Sequence, residues 1–322
     1  MSSLEHCCKM SFSAALAVVG GFTVVFFAWR VWCGLREFVL SQFWKEDLRK
    51  FGQWAVVTGA TSGIGKAYSN ELAQRGLDVV LVSRSSDKLQ AAANEIEERY
   101  GRKTRSIQVD FTDGPSIYPT IGKELHGLEI GILVNNVGMM YSESCDYFLD
   151  APDAEQKITD VINCNVLSVP HMTRLVLPGM VERGKGLIIN MSSLAGRRPH
   201  PLVSLYCSSK SFVSFFSECL HAEYKSKGII VQCVAPFLVS SNMIKNIKSN
   251  YFVRSAPVFA REALDTVGHS SYTTGCLSHT LQSMALTVLL PDWLRMSSFF
   301  VRKQHDFLKV QNKKNAEKSD TQ

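Results

Sequence analysis

Gln53-Trp54-Ala55-Val56-Val57-Thr58-Gly59-Ala60-Thr61-Ser62-Gly63-Ile64-Gly65-Lys66 is the stretch that decides the fold. Trp54–Thr58 is a short apolar run without polar alternation, as expected of a central parallel strand covered on both faces. Gly59, Gly63 and Gly65 follow at once, and an amphipathic helix is predicted over Lys66–Arg75. Strand, glycine turn and helix in that order let a backbone approach a pyrophosphate and aim a helix N-terminus at it. An ordinary glycine-rich turn has the same composition. The position directly after a strand favours a dinucleotide loop built from Gly59, Thr61, Ser62, Gly63, Ile64 and Gly65.

The same rhythm continues outward. Apolar runs recur at Val79–Ser83, Ser106–Val109, Ile130–Asn135, Leu187–Met191 and Ile229–Val234, with a helix predicted over Asp87–Tyr100. Gly76 and Gly101 follow the two helices where a left-handed cap is wanted. This alternation predicts an α/β fold, a Rossmann-type doubly wound parallel sheet. Pro236 to about Gly275 breaks the rhythm and is expected to be a substrate loop or lid. Leu281–Val301 is apolar but cut by Pro291, Asp292 and Arg295, so it reads as a membrane-surface helix or a hydrophobic lid.

Ser11–Trp29 carries no charge and is rich in Ala, Val and Phe. At about 1.5 Å per residue it spans roughly the 30 Å of a bilayer core. A cleaved signal peptide is the alternative, but bulky Trp29, Val31 and Trp32 crowd the exit. The expected organisation is therefore a tail over residues 1–10, a transmembrane anchor over 11–29 and a basic juxtamembrane linker over 30–51. A single Rossmann domain over 52–280 follows, then a membrane-associated segment over 281–301 and a polar tail over 302–322, frayed from Asn312. Basic residues crowd the flank after the anchor, which places the body in the cytosol. Nine cysteines without framework or metal-ligand spacing suit free thiols in a reducing compartment, and no metal site is expected. Cys7-Cys8 could be lipidated but would face away from the cytosol. The net charge of +6 is spread out without a basic stripe, which excludes nucleic acid as a partner. Asn190-Met191-Ser192 matches a glycosylation sequon but falls in a predicted buried strand, so it reads as a chance match.

Ser83-Arg84 ends the second strand where a carboxylate would hold the ribose 2′-hydroxyl of NAD. A hydroxyl and a guanidinium there suit the 2′-phosphate of NADP, the alternative being a solvated arginine. Asp110 is placed to accept from an adenine amino group, or to cap the following helix. Tyr206 and Lys210, in Tyr206-Cys207-Ser208-Ser209-Lys210, share one helix face. A neighbouring ammonium is expected to lower the Tyr206 pKa, making it a proton donor to a carbonyl. Ser193, in Ser192-Ser193, ends the fifth strand and is placed to bind the same oxygen.

These residues resemble the short-chain dehydrogenase/reductases from Gly52 to about Met243. Within that family, Glu129-Ile130-Gly131-Ile132-Leu133-Val134-Asn135-Asn136-Val137-Gly138 and Leu177-Pro178-Gly179-Met180-Val181-Glu182-Arg183 are similar to the membrane-bound 17β- and 20β-hydroxysteroid dehydrogenases. That branch also includes very-long-chain 3-oxoacyl-CoA reductases. The resemblance implies a catalytic tetrad of Asn165, Ser193, Tyr206 and Lys210, with NADPH as cofactor. It implies that Asn165 holds a relay water and that Lys210 binds the nicotinamide ribose. Asn136 and Gly138 would line the cofactor cleft, and Ser241 would touch the nicotinamide amide. Two features depart from the pattern. Pro236-Phe237 replaces the usual Pro-Gly, and Lys313-Lys314 is followed by eight further residues, so no terminal dilysine signal stands.

The expected function is reduction of a ketone on a bulky lipid, the leading reading being a hydroxysteroid dehydrogenase acting on a 20-oxo or 17-oxo steroid, at the endoplasmic reticulum membrane with the catalytic domain facing the cytosol. One rival is 3-oxoacyl-CoA reduction, for which Arg197, Arg198, Lys245 and Lys248 would meet the CoA nucleotide. The other is an inactive membrane scaffold, which the complete tetrad opposes. Phe212, Phe215 and Phe216 suggest a homodimer face or core.

Overall fold

The computed structural model describes residues 17–25, 28–29, 31–142, 145–150, 153–241, 243 and 248–319, with side chains as far as residue 310. The chain forms two units, Met1–Lys45 and Glu46–Gln322. In the first, residues 17–25 and 28–29 are helical, and a π-helical turn covers Arg36–Leu40. Among the described residues no helix is long and apolar enough to cross a membrane. The remainder of the anchor expected over 11–29 lies outside the described residues. The end of the expected linker belongs to the folded body instead. Asp47 caps the turn Leu48–Phe51, and Leu48 and Phe51 are buried in the core of the second unit.

The second unit is built on strands β1 (Trp54–Thr58), β2 (Asp78–Ser83), β3 (Thr104–Gln108), β4 (Ile130–Asn135), β5 (Gly186–Met191) and β6 (Ile229–Val234). Two-residue ladders β7 (Val239–Ser240) and β8 (Arg254–Ser255) pair with each other, and β9 (Tyr272–Thr273) extends the main sheet. The sheet is parallel throughout, in the order β3-β2-β1-β4-β5-β6-β9. The order reverses between β1 and β4, and ligands of such sheets bind outside the carboxyl ends of the strands at that switch point.

The helices are α1 (Gly63–Gln74), α2 (Ser86–Tyr100), α3 (Tyr118–Leu125), α4 (Ala154–Val161), α5 (Ser168–Glu182), α6 (Ser204–Tyr224), α7 (Ala256–Asp265), α8 (Leu277–Leu289) and α9 (Ser298–Ser319). Alternate strand residues separate into two cores. Ala55, Val57, Leu81, Ile132 and Val134 pack with Tyr68 and Leu72 of α1, Ile96 of α2 and Phe259 of α7. Val56, Val80, Val82, Leu133 and Ile188 pack with Ile121 of α3 and Met172 of α5. Each fully buried aliphatic side chain contributes about 1.5–3 kcal/mol.

The structure departs from expectation where a signal was weak or a boundary polar. β2 opens at Asp78, not Val79, because the buried carboxylate binds Arg102 at 2.7 Å and the Lys103 amide at 3.0 Å. The stretch 236–275 is not one loop, since it contains β7, β8, α7 and β9. α9 runs from Ser298 to Ser319, through most of the stretch expected to be a polar tail. Phe216 packs against the second core, whereas Phe215 is 71% exposed. Asn190 is fully buried, its Oδ1 accepting from Asn135 at 2.8 Å and its Nδ2 donating to Ser217 at 2.9 Å.

Candidate active site

The turn after β1 is a cradle whose shape depends on glycine. Gly59 sits at φ 64°. A Cβ on Gly65 would lie 2.2 Å from the Gly59 carbonyl oxygen and 2.5 Å from Asn136 Nδ2. Thr58 binds this turn to the end of β4. Its hydroxyl accepts from the amides of Asn136 at 2.9 Å and Val137 at 3.0 Å, while Asn136 Nδ2 donates to the Thr58 carbonyl at 2.9 Å. Ser62 precedes α1 in an extended conformation, and its side chain does not cap the helix, so it leaves the first-turn amides to an anion. Ile64 is half-buried against the first core. Ser241 reaches the same place: a Cβ on Gly63 would lie 3.2 Å from its own Cβ. This arrangement fits the pyrophosphate of a dinucleotide.

At the carboxyl end of β2, Thr61 and Ser83 share a hydroxyl–hydroxyl bond of 2.9 Å. Arg84 is largely exposed, its Nη1 3.9 Å from Asp110 Oδ2. Asp110 Oδ1 accepts from the amide and hydroxyl of Thr112 at 3.0 and 2.8 Å and so caps the turn Phe111–Ile117, which precedes the segment expected to be capped. Arg84, Ser85, Gln108, Val109, Asp110 and Asp113 line an open concavity of about 420 Å³ here.

The third cluster gathers the remaining residues. A π-helical turn, Ile162–Leu167, interrupts the α4–α5 helix and turns Asn165 inward. Its Oδ1 accepts from the Met139 amide at 2.8 Å, and its Nδ2 donates to the Met139 carbonyl at 2.9 Å and to Ser209 at 3.0 Å. Both Nδ2 hydrogens are thereby committed, and the side chain fixes the turn after β4. Gly138 lies where Asn165 and Lys210 converge: a Cβ there would be 3.2 Å from Lys210 Nζ and 3.4 Å from Asn165 Oδ1. Lys210 is buried and donates to the Met191 carbonyl at 2.8 Å. Ser193 accepts from the Ala195 amide at 3.2 Å and flanks the Tyr206 hydroxyl.

The electrostatics correct one expectation. Lys210 Nζ lies 5.9 Å from the Tyr206 ring centre, yet burial dominates at both groups. It pushes the Tyr206 phenol up to about 12, against a smaller downward pull from Ser193. It pushes Lys210 down to about 8. Tyr206 thus keeps its proton at neutral pH, and Lys210 is the group that titrates near the working range.

The structure brings together Asn165, Ser193, Tyr206, Lys210 and Gly138 at one point, and the glycine loop, Asn136 and Ser241 at another. Arg84 and Asp110 lie at the edge of the loop. Sequence reading missed Thr58, whose only signal is a hydroxyl immediately before Gly59. It also missed Ser209, and Ser192, whose hydroxyl donates to the Lys210 carbonyl at 2.8 Å.

The fold and this site define an oxidoreductase, and the chain belongs to the short-chain dehydrogenase family, whose model matches residues 53–251. It is 49% identical to the very-long-chain 3-oxoacyl-CoA reductase of Mus musculus over 84% of this chain and 83% of the mouse protein. It is 48% identical to 17-beta-hydroxysteroid dehydrogenase type 3 of Homo sapiens over 82% of this chain and 85% of that protein. A short-chain dehydrogenase from Sphingobium yanoikuyae, solved in complex with NADPH, superposes with a TM-score of 0.64. It is 29% identical, with coverage of 73% of this chain and 92% of the bacterial one. The enzyme interconverts C=O and CH–OH groups with a nicotinamide cofactor.

Proposed function

We propose that the chain is a membrane-anchored, NADPH-dependent reductase whose substrate is the 3-oxo group of a very-long-chain 3-oxoacyl-CoA. The observation that carries this reading is the similarity to the mouse reductase along most of both chains, with all four tetrad positions filled. The first-turn amides of α1 and Asn136 would hold the cofactor, Arg84 would meet its 2′-phosphate, Asp110 would accept from the adenine amino group and Ser241 would touch the nicotinamide amide. When bound, the nicotinamide supplies a hydride to the carbonyl carbon. Ser193 donates a hydrogen bond to the carbonyl oxygen, and Tyr206 delivers the proton that completes the alcohol. Lys210 would hold the cofactor ribose and, ionising near 8, would return a proton to Tyr206. Asn165 keeps the Met139 turn and Ser209 in place beside them.

Reduction of a steroid ketone is the second reading. The human type 3 relative supports it, and so does the state of the basic residues that CoA would need. Arg197 lies 5.1 Å from the Tyr272 ring centre, and Arg198 is bound to Asp292. Lys248 is exposed, and Lys245 lies outside the described residues. NADPH consumption by membranes expressing the chain separates the readings. A very-long-chain 3-oxoacyl-CoA is expected to be turned over faster than androstenedione or cortisone. Turnover of the steroids alone would reverse the order, and turnover of none would discard the reductase assignment.

Arg84→Asp is expected to shift preference from NADPH toward NADH roughly ten- to a hundredfold, the worth of one charge-assisted hydrogen bond. Unchanged relative KM values would reduce Arg84 to a surface charge. The kinetic pH profile is expected to follow Lys210. The protonated form is the active one, so kcat/KM for NADPH should be flat below an ionisation near 8 and fall above it. Tyr206, at about 12, contributes nothing in that range. A profile level to pH 10 would remove Lys210 from the proton path.

Membrane association is proposed to involve the anchor over 11–29 and the apolar surface of α8 and the segment after it. There Val288, Leu289 and Trp293 are each more than three-quarters exposed. Apolar surface of that kind suits an interface between water and lipid. The proposed site of residence is the endoplasmic reticulum, with the catalytic unit in the cytosol. Exposed Phe212 and Phe215 on α6 suit a homodimer. Protease added to sealed microsomes should destroy a C-terminal tag, and a protected tag would place the catalytic unit in the lumen.

A further inference from the structure

The C-terminal segment is tied to the catalytic region at two points. At the first, the Asp292 carboxylate holds two guanidiniums through Oδ1, taking Arg295 Nη2 at 2.5 Å and Arg198 Nε at 2.9 Å. Arg198 also donates to the carbonyls of Leu286 at 3.4 Å and Leu290 at 3.1 Å. These belong to the C-terminal end of α8, where a cation meets the negative end of the helix. Arg295 is 3% exposed, and its Nη1 lies 3.2 Å from His200 Nε2. Burial and the two nearby guanidiniums push His200 down to about 4, so it is neutral and can accept this bond. At the second point, His305 of α9 lies 3.8 Å from Asp146, and its ring centre is 4.7 Å from that of Tyr147. Both of those residues are on the loop that leaves Met139.

Arg198 and His200 sit on the only covalent connection between Ser193 and Tyr206. The His200 carbonyl accepts from the thiol of Cys207, next to Tyr206, at 3.9 Å. Leu202, on the same connection, is held at φ 70°, a conformation a leucine keeps only when its surroundings impose it. Arg295 has no other carboxylate within ion-pair distance among the described residues. Neutralising Asp292 would leave a buried guanidinium facing a second one with no counter-charge between them.

We propose that Asp292 is a positioning residue: by holding Arg198 and Arg295 together it fixes the 194–203 loop against the C-terminal segment, and so sets which ketones reach Ser193 and Tyr206. Asp292 does not touch the reacting atoms. It acts through the loop that joins Ser193 to Tyr206. The proposal rests on the reductase reading for its kinetic half only.

The test compares full-length wild type, Asp292→Asn and Asp292→Glu in membranes. KM and kcat are measured for a very-long-chain 3-oxoacyl-CoA, for acetoacetyl-CoA as a small ketone, and for NADPH. Amide hydrogen exchange is followed in parallel. The Asn variant is expected to lose about tenfold in discrimination between the long and the short ketone, mainly through KM. Its KM for NADPH should be unchanged, and Glu should restore the discrimination. Exchange should quicken at residues 194–203 and 292–297 but not in β1 or β4. Unchanged discrimination with unchanged exchange overturns the proposal. So does a joint change in the NADPH KM and in β1 and β4 exchange, which would mark general loosening. If Asp292→Asn does not accumulate, Arg198→Gln leaves the Asp292–Arg295 pair intact, frees the loop and must give the same shift. A wild type that reduces no ketone refutes the reductase reading, and the exchange comparison alone then decides the positioning role.

Discussion

Tyr206→Phe is expected to lower ketone turnover by about 10²–10⁴-fold, the usual worth of a positioned general acid. The phenol is the group proposed to hand its proton to the carbonyl oxygen, flanked by Ser193. Burial raises its pKa to about 12, so it stays protonated until a carbonyl oxygen gains charge and draws the proton away. Ser193 remains as a hydrogen-bond donor in the variant but has no relay behind it. The phosphate cradle is formed by other residues, so NADPH affinity should change less than about threefold, under 1 kcal/mol. Fluorescence titration with NADPH and a steady-state assay check both halves. More than about a tenth of wild-type activity in the variant would remove Tyr206 from the role of acid.

Gly65→Ala should have an effect of similar size by another route. A methyl group there would sit 2.2 Å from the Gly59 carbonyl oxygen and 2.8 Å from its carbonyl carbon. Neither is the movable end of a side chain, so α1 and the turn must separate. The turn carries the Asn136 bond to Thr58, and α1 carries the amides proposed to meet phosphate. NADPH binding is expected to weaken by more than about a hundredfold, with a loss of about 1–3 kcal/mol in stability from overpacking. Gly101→Ala is the control. Gly101 also has a left-handed backbone, at φ 61°, but nothing lies within 4 Å of the added atom. It should cost about 1–2 kcal/mol of backbone strain and leave cofactor binding alone. NADPH titrations and urea unfolding of both variants provide the comparison. Wild-type affinity in Gly65→Ala would show that the cradle does not meet the cofactor.

Much of this was legible in the sequence because buried parallel strands leave uninterrupted apolar runs. β1, β4 and β6 occupy the predicted residues. What escaped was short or polar. β9 has two residues, too few to make a run, yet it closes the sheet beside β6. α7 lies in a stretch rich in Ser, Asn and aromatic residues, although Pro257 in its first turn was a start signal. In the site, the spacing of Tyr206 and Lys210 correctly put them on one face of α6. The direction of the Tyr206 shift was missed because a sequence shows which charges are near but not how much water is excluded. Asp110 was ambiguous for a related reason. Whether a carboxylate caps a helix depends on where the next amide points, and only the structure supplies the Thr112 geometry.

The buried asparagine pair in the sheet bears on how the chain is made. Sugar transfer to Asn-X-Ser takes place on an unfolded segment as it enters a lumen, before neighbouring strands can shield it. Asn190 heads such a triplet, and in the finished sheet its side chain lies between Asn135 and Ser217 without exposed surface. A glycan attached during translocation would leave no room for β4 to pair with β5, and the central strands could not assemble. A catalytic unit that never crosses the membrane does not meet that enzyme. The burial of Asn190 agrees with the proposed cytosolic placement of the catalytic unit, where the triplet is never presented for sugar transfer.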